Sequence, residues 1–237
     1  MRHSEKRVLV AGGTGALGSA VTLAFLEQGA TVVVTGRRKD GYDALLAAAG
    51  NDQDRLSAAF LDVSNAGAAA KLAADVVERH GRVDVLVNAV GAYEGGASVW
   101  ETEPESYARM LAVNLQTSFA LARAVLPHML RQGRGWIVGV GSKAAAAPAA
   151  GAAAYAAAKA GAVALYAAIS DEVRPHPVNV NMVAPSIFDT PANRQAMPTA
   201  DFSRWPKPAD IARVILFLCS EDARVVHGAV IPVYGRG

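Results

Sequence analysis

A tyrosine and a lysine four residues apart are the residues in this sequence whose types and spacing best suit chemistry. Tyr155 and Lys159 lie in a strongly helical segment, so both side chains are expected on one helix face, about one turn apart. An ammonium near a phenol favours the phenolate, lowers the tyrosine pKa and makes a useful acid and base. The spacing alone is also typical of an ordinary helix surface, so other residues must decide between the two interpretations.

A glycine-rich turn near the start of the chain predicts a nucleotide site. The run Gly12-Gly13-Thr14-Gly15-Ala16-Leu17-Gly18 follows an apolar strand pattern, leads directly into an apolar helical pattern and satisfies G-x-G-x-x-G. Without side chains the backbone can turn tightly, and N–H groups at the positive end of the helix can approach a pyrophosphate. A merely structural tight turn is the alternative, but the strand-turn-helix context favours dinucleotide binding.

Two arginines follow the second predicted strand, at the position where an acid would bind the adenosine ribose hydroxyls of NAD. The sequence there reads Thr35-Gly36-Arg37-Arg38 and contains no carboxylate. Because a guanidinium pairs well with a phosphate, this pattern predicts that NADP(H) is preferred over NAD(H). The alternative is that both arginines are solvated loop charges.

Short β-branched runs alternate with helical stretches along the whole chain. This alternation predicts an α/β fold with a doubly wound, seven-stranded parallel sheet and helices on both faces. We predict a single domain over residues 1–237, with a substrate loop at about 184–207, because long loops on a rigid scaffold carry function. The predicted strands are 8–10, 31–35, 57–61, 84–88, 136–140, 178–183 and 229–233, and the predicted helices are 16–28, 42–49, 66–80, 104–131, 152–173 and 208–220.

Composition and charge exclude several classes of protein. Hydrophobic residues make up 52% and charged residues 19% of the chain, which argues against disorder and for a substantial core. The formal net charge is +2 without a long run of Lys or Arg, so no nucleic-acid partner is predicted.

Targeting and redox signals point to an ordinary intracellular protein. Glycines interrupt the apolar stretch 7–26, which is therefore not interpreted as a signal peptide, and Pro148, Gly151 and Lys159 argue against a membrane span in the alanine-rich stretch 144–169. The single cysteine, Cys219, is interpreted as a buried structural thiol. We predict a cytoplasmic protein without a membrane partner or a metal site.

Further motifs occur in the order that is typical of the short-chain dehydrogenase/reductase family, and the chain resembles this family from end to end. Ser142 lies thirteen residues before Tyr155, and Asn114 lies in the fourth helical region. The other landmarks are Asp62-Val63 after the third strand, Asn88-Ala89-Val90-Gly91 after the fourth, and Pro185-Ser186 and then Thr190 after the sixth. The resemblance implies a Rossmann fold and hydride transfer between NAD(P)H and a small carbonyl compound.

The resemblance also implies a role for each catalytic residue. Tyr155 would donate a proton to the carbonyl oxygen, Lys159 would bind the nicotinamide ribose and tune Tyr155, Ser142 would hydrogen-bond the carbonyl, and Asn114 would hold a relay water. Asp62 would face the adenine, and Thr190 would face the carboxamide. The implied cofactor contacts are Gly12, Thr14, Gly15, Leu17, Gly18, Arg37, Arg38, Asp62, Val63, Asn88, Ala89, Gly91, Tyr155, Lys159, Pro185, Phe188 and Thr190.

Four positions depart from the family pattern. Ala16 replaces the second family glycine, Ala89 replaces the second asparagine of the strand-four motif, and Ser186 replaces the glycine after Pro185. His227 stands where a threonine is usual near the last strand, and we interpret it as a structural loop residue. These departures concern the cofactor contacts rather than the reaction.

Several substrates remain open at the level of sequence. The segment 189–198 resembles dihydropteridine reductases, but that branch typically has an acid after strand two and lacks the catalytic serine, whereas this chain has Arg37 and Ser142. A general carbonyl reductase would use apolar side chains as a wall around a ketone or aldehyde. The predicted wall residues are Tyr93, Phe188, Met197 and Trp205.

Two further alternatives stand beside these. A 3-oxoacyl-carrier-protein reductase would need a basic patch that binds its acidic carrier protein. The residues that could contribute to such a patch are Arg123, Arg131 and Arg134. A non-catalytic NADP-binding sensor would usually lack the tyrosine or the lysine. The resemblance also implies a homo-oligomer, usually a tetramer or a dimer, associated through the helices that span 103–131 and 152–173, and we predict a homotetramer.

Overall fold

The sheet of this protein is parallel throughout and has seven strands. The computed structural model describes residues 3–236, so residues 1, 2 and 237 of the predicted domain lie outside the described residues. The strand order is β3-β2-β1-β4-β5-β6-β7. The strands are β1 (Arg7–Ala11), β2 (Thr31–Gly36), β3 (Leu56–Phe60), β4 (Val85–Asn88), β5 (Gly135–Val140), β6 (Val178–Pro185) and β7 (Val230–Val233).

Helices cover both faces of this sheet, which confirms the predicted fold class. Side chains of α1, α2 and α8 form the core on one face, and side chains of α3, α5 and α6 form the core on the other. The helices are α1 (Ala16–Glu27), α2 (Lys39–Ala49), α3 (Ala66–His80), α4 (Pro104–Leu111), α5 (Thr117–Gln132), α6 (Ala153–Glu172), α7 (Pro191–Ala196) and α8 (Pro208–Leu218).

The nearly continuous apolar strands follow from this two-sided burial. In β1, Val8 and Val10 belong to the core beneath α1 and α8, whereas Leu9 and Ala11 belong to the core beneath α3 and α5. Successive strand residues point to opposite faces, so a strand covered on both sides needs apolar residues at every position. Cys219 is also buried, as predicted.

The sequence predicts one helix over 104–131, and this prediction is wrong in its middle. A π-helical turn, Ala112–Gln116, separates α4 from α5. The Thr117 hydroxyl donates to the Val113 carbonyl at 2.6 Å, and the Ser118 hydroxyl donates to the Asn114 carbonyl at 3.3 Å. Side chains thus satisfy carbonyls in this wider turn, and π turns of this kind are frequent at functional sites.

Two other boundaries also differ from the predictions. Helix α2 begins at Lys39 rather than near residue 42. The predicted loop 184–207 contains the end of β6, the short helix α7 and a 3-10 turn at Phe202–Arg204. Thr190 accepts a hydrogen bond from the Asn193 N–H at 3.1 Å and begins α7, a local cap that apolar periodicity does not reveal.

Helix α6 is long and apolar enough, by length and composition alone, to cross a membrane. In this fold its side chains Ala158, Ala162 and Ile169 are buried, and Ala162 and Ile169 belong to the core on one face of the sheet. Helix α6 therefore belongs to the helical layer that covers one face of the sheet.

The sheet topology fixes where a ligand can bind. The chain runs outward from β1 to β3 and then returns to place β4 on the other side of β1. Ligands of doubly wound sheets bind outside the carboxyl ends of the strands, at the point where the strand order reverses. The turn after β1 and the loop after β4 meet at this point, so the residues that follow these strands are the candidates for a site.

Candidate active site

The glycine-rich turn between β1 and α1 packs tightly on itself. Gly12 has a φ of 75°, in the left-handed region that favours glycine, and its N–H donates to the Thr35 hydroxyl at 3.0 Å. A methyl group at Gly18 would lie 2.1 Å from the Gly12 carbonyl oxygen. No side chain caps α1 at Gly15, and its first turn contains no acidic residue. The N–H groups at this end therefore fit the pyrophosphate of a dinucleotide.

Two side chains of this turn occupy different surroundings. Thr14 packs against the end of β2, since a methyl group at Gly36 would lie 2.9 Å from the Thr14 hydroxyl oxygen. Leu17 is buried in the core, so it can offer a cofactor only its backbone. Gly15 is exposed at the start of α1. The turn thus presents backbone rather than side chains to a ligand.

Charged residues surround the ends of β2 and β3. Arg37 and Arg38 are exposed, and Arg38 lies 3.3 Å from Asp40 in a solvated ion pair. Arg37 forms no ion pair within residues 3–236. Hydrogen bonds from the Ser64 N–H and hydroxyl, at 2.9 and 2.7 Å, hold the pKa of Asp62 below its usual range, and the charge of Arg37 adds to this effect. Among the described residues at this edge, the guanidinium of Arg37 therefore has no ion-pair partner. Val63, next to Asp62, is buried.

Asn88 shapes the loop that leaves β4. Its buried amide donates to the Ser118 hydroxyl at 3.1 Å, and its carbonyl oxygen accepts from the Val90 N–H at 3.2 Å. The Ala89 N–H donates to the Ala11 carbonyl at 2.9 Å. These bonds tie the end of β4 to β1 and α5, and they direct the following residues toward the centre of the site.

Gly91 is the point at which two predicted catalytic residues approach each other. A methyl group there would lie 3.1 Å from Asn114 Oδ1 and 3.3 Å from Lys159 Nζ. Asn114 is buried, its Nδ2 donates to the Ala92 carbonyl at 3.0 Å, and its Oδ1 accepts from the Ala92 N–H at 3.2 Å. Glycine thus leaves room for both side chains beside the loop after β4.

Lys159 is a buried cation in the floor of the site. It is 4% exposed, and its Nζ donates to the Val140 carbonyl at 2.9 Å and lies 5.9 Å from the centre of the Tyr155 ring. Burial lowers the pKa of Lys159 to about 8. Its ammonium therefore keeps donors for another ligand close to the tyrosine.

Tyr155 lies beside this lysine and against a second tyrosine. The rings of Tyr93 and Tyr155 meet edge to face, with centres 5.1 Å apart. Burial raises the pKa of Tyr155, the Ser142 hydroxyl opposes this change, and Tyr93 adds to it. Because burial is the largest effect, the pKa of Tyr155 lies above its usual value, and the lowering expected from Lys159 is not observed. The phenol is protonated at neutral pH.

Ser142 follows β5 and begins a short 3-10 turn at Lys143–Ala145. Its hydroxyl accepts a hydrogen bond from the Ala144 N–H at 3.2 Å, and its side chain is half-buried. This contact fixes the hydroxyl at the carboxyl end of β5 while its proton stays available. Ser142 can therefore donate to an oxygen held next to Tyr155.

The end of β6 closes the other side of the site. Pro185 is buried, and the Ser186 hydroxyl donates to the Tyr234 carbonyl at 2.9 Å. Phe188 is half-buried and packs against the core beneath α1 and α8. Thr190 is buried with its hydroxyl oxygen capping α7.

The four residues of the predicted apolar wall have different surroundings. Tyr93 contacts Tyr155 directly and is 68% exposed, so it can also contact a substrate. Trp205 instead pairs with Phe202, with ring centres 5.0 Å apart, and Phe188 packs toward the core. Met197 is half-buried at the end of α7.

Comparison with known proteins shows which family this chain belongs to. Residues 6–201 match the family model described as short chain dehydrogenase. The chain belongs to this family. It is 32% identical to the 3-oxoacyl-acyl-carrier-protein reductase of Thermotoga maritima, with 99% of the chain and 98% of the relative covered. It is 33% identical to the meso-2,3-butanediol dehydrogenase of Serratia marcescens, with 99% and 95% covered.

A solved structure supports the same assignment. This short-chain dehydrogenase is similar to a crystal structure of a short-chain dehydrogenase/reductase from Burkholderia xenovorans, with a TM-score of 0.91, 34% identity, and 99% and 96% of the two chains covered. The protein is accordingly an oxidoreductase of a family that uses nicotinamide cofactors and acts on small molecules.

The four departures from the family pattern can now be located in this short-chain dehydrogenase. Ala16 is exposed at the first position of α1, and Ala89 is half-buried between β1 and β4. The Ser186 side chain turns to the carbonyl of Tyr234. His227 precedes β7, where its Nε2 lies 2.7 Å from the Ser170 carbonyl oxygen, which supports the structural interpretation.

Sequence reasoning missed the part played by the residues after β7. Arg236 and Arg204 pair through their backbones and the Arg204 side chain, with donor–acceptor distances of 3.0 and 2.9 Å. The Tyr234 carbonyl accepts from Ser186. The end of the chain thus packs on the loop after β6, and no short motif predicts such a contact.

Proposed function

We propose that this short-chain dehydrogenase reduces a ketone or aldehyde to an alcohol, or catalyses the reverse reaction, with NADPH as the preferred reductant. The observation that carries this proposal is the convergence of Tyr155, Lys159, Ser142 and Asn114 at the carboxyl ends of β4 and β5, next to the turn that fits a dinucleotide. A chain that only sensed NADP would not need this complete set.

Each side chain then has a defined task. A bound nicotinamide supplies hydride to the carbonyl carbon or accepts it from the alcohol. Tyr155 donates its phenolic proton to the carbonyl oxygen, and its raised pKa keeps that proton in place at neutral pH. Ser142 donates a hydrogen bond to the same oxygen, where negative charge develops.

The buried lysine and asparagine support this proton transfer. When Tyr155 loses its proton, the neighbouring Lys159 ammonium stabilises the phenolate that forms. Lys159 Nζ also has donors beyond the one given to Val140, and these suit a ribose hydroxyl. The side chains of Asn114 and Lys159 both lie next to Gly91. We assign to Asn114 the positioning of a relay water. Burial of both groups strengthens these interactions.

The preference for NADPH rests on the edge formed by β2 and β3. Arg37 has no carboxylate partner within the described residues and can pair with a 2′-phosphate, whereas Arg38 is engaged with Asp40. The β2 end carries no acid that would bind the ribose hydroxyls of NAD.

Replacement of Arg37 tests this preference. We expect Arg37→Ala to lower kcat/KM for NADPH about tenfold and to leave NADH almost unaffected, because a charged hydrogen bond to phosphate is lost. The control is Lys39→Ala, since Lys39 is engaged with Asp43 at 2.7 Å on α2. Steady-state kinetics with both cofactors give the ratio, and equal losses with NADPH and NADH would contradict the assignment.

The reaction itself is tested by following absorbance of the reduced cofactor. The purified protein is mixed with NADPH or NADH and with simple aryl ketones, diketones, a 3-oxoacyl thioester or quinonoid dihydropterin. We expect turnover of at least one carbonyl class, faster with NADPH than with NADH. NADPH binding without turnover of any compound would favour a sensor instead.

One relative favours a second candidate, a 3-oxoacyl-carrier-protein reductase, since the Thermotoga maritima protein of that name is 32% identical over nearly the whole chain. The predicted basic patch gives this candidate little support. Arg134 pairs at 2.9 Å with the buried carboxylate of Asp84, just before β4, and Arg131 lies at the end of α5 beside His128. Both arginines belong to the amino edge of the sheet, away from Tyr155. In the substrate panel, selective turnover of the thioester would support this candidate.

We also propose that the protein is a cytoplasmic homo-oligomer, as a tetramer or a dimer. Large side chains on and near α4 and α5 remain exposed, and they include Trp100 (83%) and Phe119 (51%). Burial of such side chains against a second copy would remove apolar area from water. Light scattering measures the resulting mass.

A further inference from the structure

A lysine directly follows the proposed hydrogen-bond donor Ser142 and carries a charge that the reaction does not use. Lys143 begins the 3-10 turn after β5 and is exposed. Its Nζ lies 5.2 Å from the centre of the Tyr234 ring, and Tyr234 follows β7. Lys143 forms no ion pair within residues 3–236.

The sheet order places the contact between Lys143 and Tyr234 over the carboxyl end of β6, at the entrance of the candidate active site. Strand β6 lies between β5 and β7, so a contact between the residues that follow β5 and β7 must pass over the carboxyl end of β6. The hydrogen bond from Ser186, the first residue after β6, to the Tyr234 carbonyl holds Tyr234 there. The ring in turn favours the ammonium at this position through a cation–π contact.

The groove between the loop after β4 and the start of α4 carries charge of the other sign. The loop after β4 and the start of α4 contribute Glu94, Glu101, Glu103 and Glu105 to a groove that also includes Ala154, the residue before Tyr155. Among these carboxylates, Glu94 is paired with Arg109 at 2.6 Å. A negatively charged group would therefore be repelled by these carboxylates, whereas the ammonium of Lys143, which follows Ser142, would attract it.

We propose that Lys143, held by Tyr234, is a specificity residue that binds a carboxylate of the substrate, so that small oxo acids are preferred over neutral ketones of the same shape. This inference rests on the proposed function, because the carbonyl must first be held by Ser142 and Tyr155. A lysine suits this task because it is a compact charge on a flexible stem and can reach a carboxylate a few bonds from the carbonyl.

A matched pair of substrates tests the inference. Acetylbenzoate and its methyl ester present the same ketone with and without a charge, and kcat and KM are measured for both with NADPH. We expect the wild-type protein to prefer the acid, and Lys143→Met to raise KM for the acid about fivefold with little change for the ester, as expected for a partly solvated ion pair. Lys143→Arg should retain most of the preference, because the charge is kept.

A control variant separates local from general attraction. Lys71→Met removes the same charge from α3, where Lys71 pairs with Asp75 at 2.6 Å, and it should leave the acid-to-ester ratio unchanged. An equal ratio in the wild type and in Lys143→Met, with turnover retained, would overturn this inference alone. No turnover of these two compounds together with no turnover of every carbonyl in the wider panel would overturn the proposed function and this inference with it.

Discussion

Replacing Tyr155 by phenylalanine is expected to lower kcat for carbonyl reduction by about 10²- to 10⁴-fold, the usual contribution of a positioned general acid. The ring and its edge-to-face contact with Tyr93 remain, so the helix and the pocket keep their shape. The substitution removes only the phenolic proton donor, and Lys159 stays engaged with the Val140 carbonyl. Initial rates with NADPH and the best carbonyl of the panel give the loss in kcat.

The matched control is Tyr166→Phe, which removes a hydroxyl from the same helix. The Tyr166 ring is buried beneath Gly139, and its hydroxyl faces the Asn88 and Ser118 side chains rather than Ser142. Its removal should leave kcat within about twofold, since Asn88 and Ser118 keep the hydrogen bond that they make to each other. Cofactor affinity, measured by fluorescence titration, should persist in Tyr155→Phe. Equal kcat in Tyr155→Phe and wild type would show that another group donates the proton.

Much of this fold follows from local patterns in the sequence. Seven short β-branched runs, separated by helical stretches, define a parallel sheet because each strand must be covered on both faces. The spacing of Tyr155 and Lys159 on one helix, and the position of Ser142 after β5, likewise follow from periodicity and strand ends. Such features depend on residues that are close in sequence, or on the way in which helices connect parallel strands.

The remaining features depend on contacts between distant segments. In the π turn around Asn114, hydroxyls one turn later satisfy carbonyls of the turn, and the Asn114 amide binds the backbone of Ala92. The raised pKa of Tyr155 reflects burial, which spacing along a helix does not reveal. The contact between Lys143 and Tyr234 joins residues at opposite ends of the second half of the chain. Each of these is a property of packing.

Replacing Gly18 by alanine is expected to damage both the stability and the cofactor site. The added methyl group would lie 2.1 Å from the Gly12 carbonyl oxygen and 2.8 Å from the Gly13 Cα, and both contacts are with backbone that cannot rotate away. Overpacking of this kind costs about 1–3 kcal/mol of unfolding free energy. Urea denaturation monitored by circular dichroism measures that change.

A second glycine of the same turn provides the control for Gly18→Ala. A methyl group at Gly15 would meet only the Gly12 carbonyl oxygen at 3.4 Å, and Gly15 has a φ of −83° that alanine adopts readily. The stability of Gly15→Ala should therefore stay within about 0.5 kcal/mol of the wild type. In Gly18→Ala the turn must shift to relieve the contact, and a displacement of about 1 Å at a binding turn can reduce kcat/KM about 100-fold. Wild-type stability and NADPH kinetics in Gly18→Ala would show that α1 can move away from the turn without disturbing the N–H groups that face the cofactor.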